Sequence, residues 1–333
     1  MDTFRAYRVS NEDGEIQGSL TEMSRDELDE GEVLFRPAFS DINYKDALAA
    51  TGTAKVMSRF PMVGGIDAAG EVLESSDGRY AEGDRVLVTG YGLGENHDGG
   101  YAGLARVPAD WLVPVPQEMS PWQAMAVGTA GFTAALSVAR MEVNGLSPED
   151  GPVAVTGATG GAGSIAVDIL AGNGFEVTAI SGKDSEHDYL KSLGASEVLS
   201  RHELEMGERP LEKERWAGAV DAVGGEMLSW LTRTTKRGGS IASYGLAGGI
   251  ELKTTVMPFI LRGVNLLGID SVYCPMEKRR ELWSRLAPGG DLHPRHLEEM
   301  SRTIDLDDLP GAFKPFMEGT VRGRTVVRIE QGA

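Results

Sequence analysis

Apolar positions fall into two textures along the chain. Up to residue 125, short β-rich runs (Phe4 to Val9, Glu32 to Phe39, Ala69 to Leu73, Arg85 to Thr89) are separated by Gly, Asp and Asn, and the glycine-rich stretch Tyr91 to Tyr101 reads as loop. A helix then starts with Ser120 as cap, Pro121 in the first turn and Gln123 at the third position, and a second helix runs from Thr129 to Met141. From Gly151 the pattern alternates strictly. Strands are expected at Val153 to Thr156, Glu176 to Ile180, Glu197 to Leu199, Ala219 to Ala222, Gly239 to Tyr244 and Val264 to Ile269. Helices are expected at Ser164 to Ala171, Ser185 to Leu193 and Met227 to Thr234. Such alternation predicts a doubly wound parallel sheet with helices on both faces, an α/β fold of the Rossmann type. After Asp270 only a helix with Trp283 and Leu286 and a strand from Arg324 to Ile329 remain, too little to fold alone. The expected division is therefore a cofactor domain over 126–270 and a β-rich domain made of 1–125 and 271–333.

Composition narrows the function. With 333 residues, 41% hydrophobic and 25% charged, the chain has the make-up of an ordinary globular protein of two domains. No apolar run suggests a membrane span, and Met1-Asp2 leading to Arg5 lacks a signal-peptide layout, so a cytoplasmic protein with no membrane partner is expected. A net charge of −18 argues against nucleic acid as a partner and fits either an ordinary acidic enzyme or a surface adapted to high salt. Cys274 is the only cysteine, which excludes an intramolecular disulfide and a cysteine-rich zinc site.

The run Val153-Ala-Val-Thr-Gly-Ala-Thr-Gly-Gly-Ala-Gly163 sets a buried strand before a glycine cluster and a helix. Glycines let backbone N–H groups approach a pyrophosphate, and the following helix presents its positive end. In the G-x-G-x-x-G register Ala158 takes the first place and Gly160 and Gly163 the others, so the motif alone fits a tight turn as well; five alternating units favour the nucleotide. Where an NAD site carries an acidic residue, the next strand ends Ser181-Gly182-Lys183, and the strand after it ends Ser200-Arg201. Ser181, Lys183 and Arg201 are placed to meet a 2′-phosphate, which predicts NADPH as cofactor.

The motifs Asp41-Ile-Asn-Tyr-Lys-Asp-Ala47, Gly64-Gly-Ile-Asp-Ala-Ala-Gly70, Gly94-Glu-Asn-His-Asp-Gly-Gly100, Gly245-Leu-Ala-Gly-Gly249, Pro258-Phe-Ile-Leu-Arg-Gly-Val264 and Gly268-Ile-Asp-Ser-Val272, with the glycine turn, carry a family likeness. The chain resembles the acrylyl-CoA reductase family of zinc-free, quinone-oxidoreductase-like medium-chain dehydrogenases/reductases. The resemblance implies that the β-rich part is a GroES-like catalytic domain. It implies cofactor contacts at Tyr44, Gly160, Gly161, Ala162, Gly163, Ser181, Gly182, Lys183, Arg201, Leu246, Ile260 and Ser271, the last three following the ends of late strands. Two positions depart from the family pattern: Ala162 replaces a more usual valine, and Gly319 stands where relatives can carry asparagine. Zinc-dependent relatives use a cysteine and a Gly-His-Glu motif, for which this chain has Ile66-Asp67 and no cysteine in its first domain, so no metal is expected. His293 and His296, beside Pro294, read as a capping or surface arrangement.

The resemblance further implies reduction of acrylyl-CoA to propionyl-CoA, a reaction that needs a donor at the developing enolate oxygen and a site closed to water. Asn43 and Tyr44 are the catalytic candidates. A phenol is a donor at neutral pH, but an aromatic shelf for the nicotinamide is an equal reading of Tyr44. His97 lines a pocket or bonds local backbone; Lys45 and Asp46 are expected to pair; Asp67 is expected to accept local backbone N–H groups rather than to act as a base. The alternatives to a short enoyl-CoA substrate are a quinone or small enone, and a cofactor-binding protein without turnover. The apolar strand Val264 to Ile269 suits the edge of a sheet and a homodimer.

Overall fold

The computed structural model describes residues 3–329; Met1, Asp2 and residues 330–333 lie outside it. The chain forms two compact units. The first comprises the chain up to Thr129, Val272–Pro288 and the part from Leu297 onward, and the second is Ala130–Ser271 with Gly289–His296.

In the first unit β1 (Thr3–Glu12) lies between β2 (Glu15–Ser24) and a short β4 (Met62–Val63). The larger sheet begins with β3 (Val33–Asp41), β5 (Asp67–Ser75), β6 (Arg85–Thr89), β7 (Ala105–Val107) and β8 (Val113–Pro114), and α1 (Tyr44–Ala50) leaves the end of β3. Phe4, Tyr7, Ile42, Met62 and Tyr101 are buried in one core, and Val33, Phe35, Val72, Val86 and Leu112 in a second.

The two helices expected around residues 120–141 are present and meet at Gly128, whose φ of 51° and ψ of −161° are non-helical; together they make up the element α2 (Pro121–Val143). Its start is built as the sequence indicates, Gln123 N donating to Ser120 Oγ and Ser120 N to Gln123 Oε1. A Cβ at position 128 would come within 2.0 Å of Asp41 Oδ2 and 2.6 Å of Arg324 Nη2, so close approach as well as positive φ requires glycine there. By length and hydropathy α2 passes the test for a membrane span, contrary to the expectation that no run comes near it; 83% of its apolar window is buried in the protein, as in a core helix.

The second unit holds six strands, β9 (Val153–Thr156), β10 (Val177–Ser181), β11 (Glu197–Ser200), β12 (Trp216–Asp221), β13 (Thr235–Ser243) and β14 (Asn265–Gly268). All pair in parallel in the order β11-β10-β9-β12-β13-β14, the Rossmann arrangement, with β14 at one edge. Every residue of β9 and of β12 is buried, as expected for central strands covered on both faces. Helices α3 (Gly161–Gly172), α4 (His187–Ser192), α5 (Gly225–Thr234) and α6 (Met257–Arg262) intervene. The order reverses between β9 and β12, which opens the nucleotide crevice at their carboxyl ends.

The remainder is α7 (Met276–Leu286), β15 (Ser301–Asp305) and β16 (Arg324–Arg328), the two strands completing the first unit's larger sheet next to β3. The sequence led to the expectation that the whole of 271–333 returns to the first unit; Gly289–His296 instead belongs to the second. Asp168 of α3 holds this segment, accepting Arg295 N at 2.6 Å, His296 N at 3.1 Å and a bond with His296 Nδ1 at 2.7 Å. Asn173 adds a bond to Asp291 O.

Candidate functional site

In the second unit the crevice is built from backbone. Thr156, closing β9, donates to Asp221 Oδ1 at 2.6 Å, and Asp221 accepts Val223 N and Gly224 N, tying the ends of β9 and β12. Burial raises the Asp221 pKa. Gly160 is the N-cap of α3, and Gly161, Ala162 and Gly163 are its first three residues. Their N–H groups have no carbonyl one turn earlier in the helix, and the helix dipole adds positive potential. A Cβ on Gly163 would meet Gly157 O at 2.3 Å, so the strand-to-helix turn closes only with glycine. The geometry fits a pyrophosphate.

The ends of β10 and β11 are in register, Ser181 opposite Ser200. Arg201 N donates to Ser181 O at 2.8 Å, and the buried Ser181 Oγ accepts Lys183 N at 2.9 Å. The Arg201 side chain lies against the Gly182 backbone, where a Cβ would be 2.5 Å from Nε. Ser181, Gly182, Lys183 and Arg201 are thus brought together, with cations and a hydroxyl where an acidic residue would select NAD. Burial lowers the Lys183 pKa.

Leu246 follows β13 and Ser271 follows β14, where Ser271 Oγ accepts from Thr133 at 2.9 Å. Ile260 sits inside α6, between β13 and β14, so, contrary to expectation, it does not stand directly at the carboxyl end of a strand. Leu246 and Ile260 are apolar side chains left exposed, at 58% and 71%.

In the first unit Asn43 caps α1. Its backbone N donates to Asp46 Oδ2 at 2.8 Å, while its Nδ2 bonds Asp41 Oδ1 at 2.6 Å and Asp67 Oδ2 at 2.9 Å. Asp67 also accepts the Thr129 backbone N–H and the Thr129 hydroxyl, long-range partners in place of the local backbone N–H groups expected from the sequence. Arg324 Nη2 pairs with Asp41 Oδ2 at 2.9 Å, and Arg324 Nε donates to Ala126 O. Asp46 Oδ1 accepts Ile66 N at 3.0 Å. Three buried carboxylates, Asp41, Asp46 and Asp67, therefore bond Asn43, and one of them, Asp41, also pairs with the buried Arg324 guanidinium. Burial, reinforced by the Asp67 charge, raises the Asp41 pKa well above its ordinary range, and burial pushes Asp46 up to about 7. Tyr44, first residue of α1, is 48% exposed.

Sequence reasoning missed Asp41 and Arg324, which no local motif connects. Lys45 pairs with Glu95 at 2.9 Å, and the expected pairing with Asp46 is not made, because both Asp46 oxygens face backbone N–H groups. His97 bonds Asp98 O and Glu30 O, the backbone alternative. Among the described residues no three His, Cys, Asp or Glu side chains are grouped to hold a metal ion.

Family models for the alcohol dehydrogenase GroES-like domain and for zinc-binding dehydrogenases match residues 29–117 and 161–287. The acrylyl-CoA reductase AcuI of Ruegeria pomeroyi is 50% identical over 319 residues, covering 96% of either chain. Bacillus subtilis YhfP, named as a quinone oxidoreductase, is 48% identical over 328 residues, 98% of this chain and 99% of its own. A structure of YhfP with NAD bound superposes at a TM-score of 0.95. The Salmonella enterica yhdH oxidoreductase in complex with NADP, 47% identical, gives a TM-score of 0.95 over 98% of this chain and 100% of its own. The chain belongs to the acrylyl-CoA reductase family of zinc-free, quinone-oxidoreductase-like medium-chain dehydrogenases/reductases, and it is an NADP-dependent oxidoreductase.

Proposed function

We propose that the protein reduces the carbon–carbon double bond of a short enoyl-CoA, acrylyl-CoA to propionyl-CoA, with NADPH. The observation that carries this reading is the full-length likeness to the Ruegeria pomeroyi protein named acrylyl-CoA reductase. When bound, NADPH supplies hydride to the β-carbon of the substrate. The chain must then offer a donor to the thioester oxygen as charge grows there, and let a proton reach the α-carbon.

Tyr44 is our candidate donor. Its phenol is half exposed at the first position of α1, and the residue before it is fixed by buried carboxylates. Asn43 takes a different part. Both amide hydrogens point to carboxylates, so we assign it to positioning the first turn of α1. Lys183 and Arg201 select the 2′-phosphate, and Gly160 to Gly163 hold the pyrophosphate. We further propose a cytoplasmic homodimer paired along β14, an edge strand with Leu266 exposed.

A quinone or enone reductase is the second reading, favoured by the name of YhfP. The purified protein, given NADPH with acrylyl-CoA, crotonyl-CoA or benzoquinone in turn, separates the two by loss of nicotinamide absorbance. Fastest turnover of acrylyl-CoA is expected. Turnover of benzoquinone alone would replace this reading with the second, and binding without turnover of any would make the protein a cofactor binder.

A further inference from the structure

His202 follows Arg201 on the turn after β11. Its Nε2 lies 3.3 Å from Gly182 O, so the ring hangs from the turn after β10, while its backbone N reaches Ser200 Oγ at 3.4 Å. Arg201 bonds the same two turns together through Ser181 O, and its side chain covers Gly182. Lys183, Arg201 and His202 therefore stand on two clasped turns at one edge of the crevice. We propose that His202 is a third, protonation-dependent ligand of the cofactor's 2′-phosphate, a specificity role that rests on the assignment of this edge to that phosphate.

With Nε2–H donating to Gly182 O, Nδ1 is the ring's remaining polar atom. Protonation makes Nδ1 a donor and the ring a cation. A phosphate dianion against the ring favours that form, so binding draws a proton from solvent. On the two segments that follow β10 and β11, the other charged or titratable groups within five residues of Gly182 or His202 are Lys183, Asp184, Glu186 and His187 after β10, and Arg201, Glu203 and Glu205 after β11. NAD+ lacks the phosphate and gives the ring nothing to hold, so the uptake belongs to NADP+ alone.

Calorimetry of NADP+ and NAD+ binding to the full-length protein at neutral pH, in buffers of different ionisation enthalpy, counts the protons. A phosphate monoester, with a second pKa of about 6, itself sheds protons on entering a cationic site, the opposite sign. That contribution is common to all variants, so the difference between wild type and His202→Gln isolates the ring. Wild type is expected to take up more protons than His202→Gln with NADP+, and equally many with NAD+. His202→Gln should weaken NADP+ relative to NAD+ about 3- to 10-fold at pH 6, with much less effect at pH 8.5, the range for one exposed charged hydrogen bond. His202→Lys, permanently charged, should restore affinity without proton uptake. Equal proton counts in wild type and His202→Gln, with NADP+ preference retained, would overturn the proposal for His202 alone. Absence of NADP+ preference in wild type would overturn the phosphate assignment and the proposal with it.

Discussion

The edge formed by Lys183 and Arg201 and the cluster around Asn43 handle charge in opposite ways. At the edge, side chains stand on turns fixed by backbone hydrogen bonds, and Arg201 is exposed. Around Asn43 three carboxylates and Arg324 are buried, and every hydrogen bond of the amide nitrogen goes to a carboxylate. A cation on an exposed turn can select a ligand with little stake in stability, whereas a buried charge cannot be changed without cost to the fold.

The largest effect should follow removal of the buried cation. Arg324→Ala leaves Asp41 without its partner and should cost about 3 to 5 kcal/mol, read as a fall in the denaturant midpoint. A midpoint unchanged from wild type would show the cluster to be better hydrated than its burial indicates. The matching change at the edge, Lys183→Ala with Arg201→Ala, should leave the midpoint nearly unchanged. It should lower the preference for NADPH over NADH by about 1 to 3 kcal/mol, the range left to two solvent-screened charged hydrogen bonds, measured as the ratio of kcat/KM values. Loss of stability without loss of preference would reverse the comparison.

Tyr44→Phe should lower kcat and kcat/KM together by about 10² to 10³ if the phenol donates in the transition state. A fully active Phe variant, with hydride transfer shown to limit the rate, would leave the ring as a shelf. Asp46 gives an effect that depends on pH. Its folded pKa, pushed up to about 7 by burial, lies above the ordinary aspartate value of 3.8. The protonated form is thus favoured in the folded state, so the group's contribution is present at low pH and is lost as pH rises from about 4 through 7. Denaturant midpoints at pH 5 and 8 should differ more in wild type than in Asp46→Asn; identical differences would place the titration elsewhere.

The cofactor unit was legible in the sequence because its signals are local: a buried strand, a glycine turn and a helix start lie within about a dozen residues, and the alternation repeats. The first unit was not equally legible. Asp41 and Arg324 meet across 283 positions, and nothing in the motif that Asp41 opens points to Arg324. The polar strand β2 escaped notice, although Asp13-Gly14, with φ of 52° and 96°, is a hairpin signal that marks it. The boundary at Gly289–His296 depends on Asp168, a carboxylate that in sequence is one polar residue in an apolar helix. Backbone chemistry could be read along the chain; side-chain pairing required the fold.

Turnover of acrylyl-CoA with NADPH in D2O distinguishes enoyl reduction from other chemistry by the position of the label. Mass spectrometry and NMR of the product should find propionyl-CoA with deuterium at the α-carbon and none at the β-carbon, since only the α-position takes its hydrogen from solvent. Failure to form propionyl-CoA, or deuterium at the β-carbon, would contradict enoyl reduction.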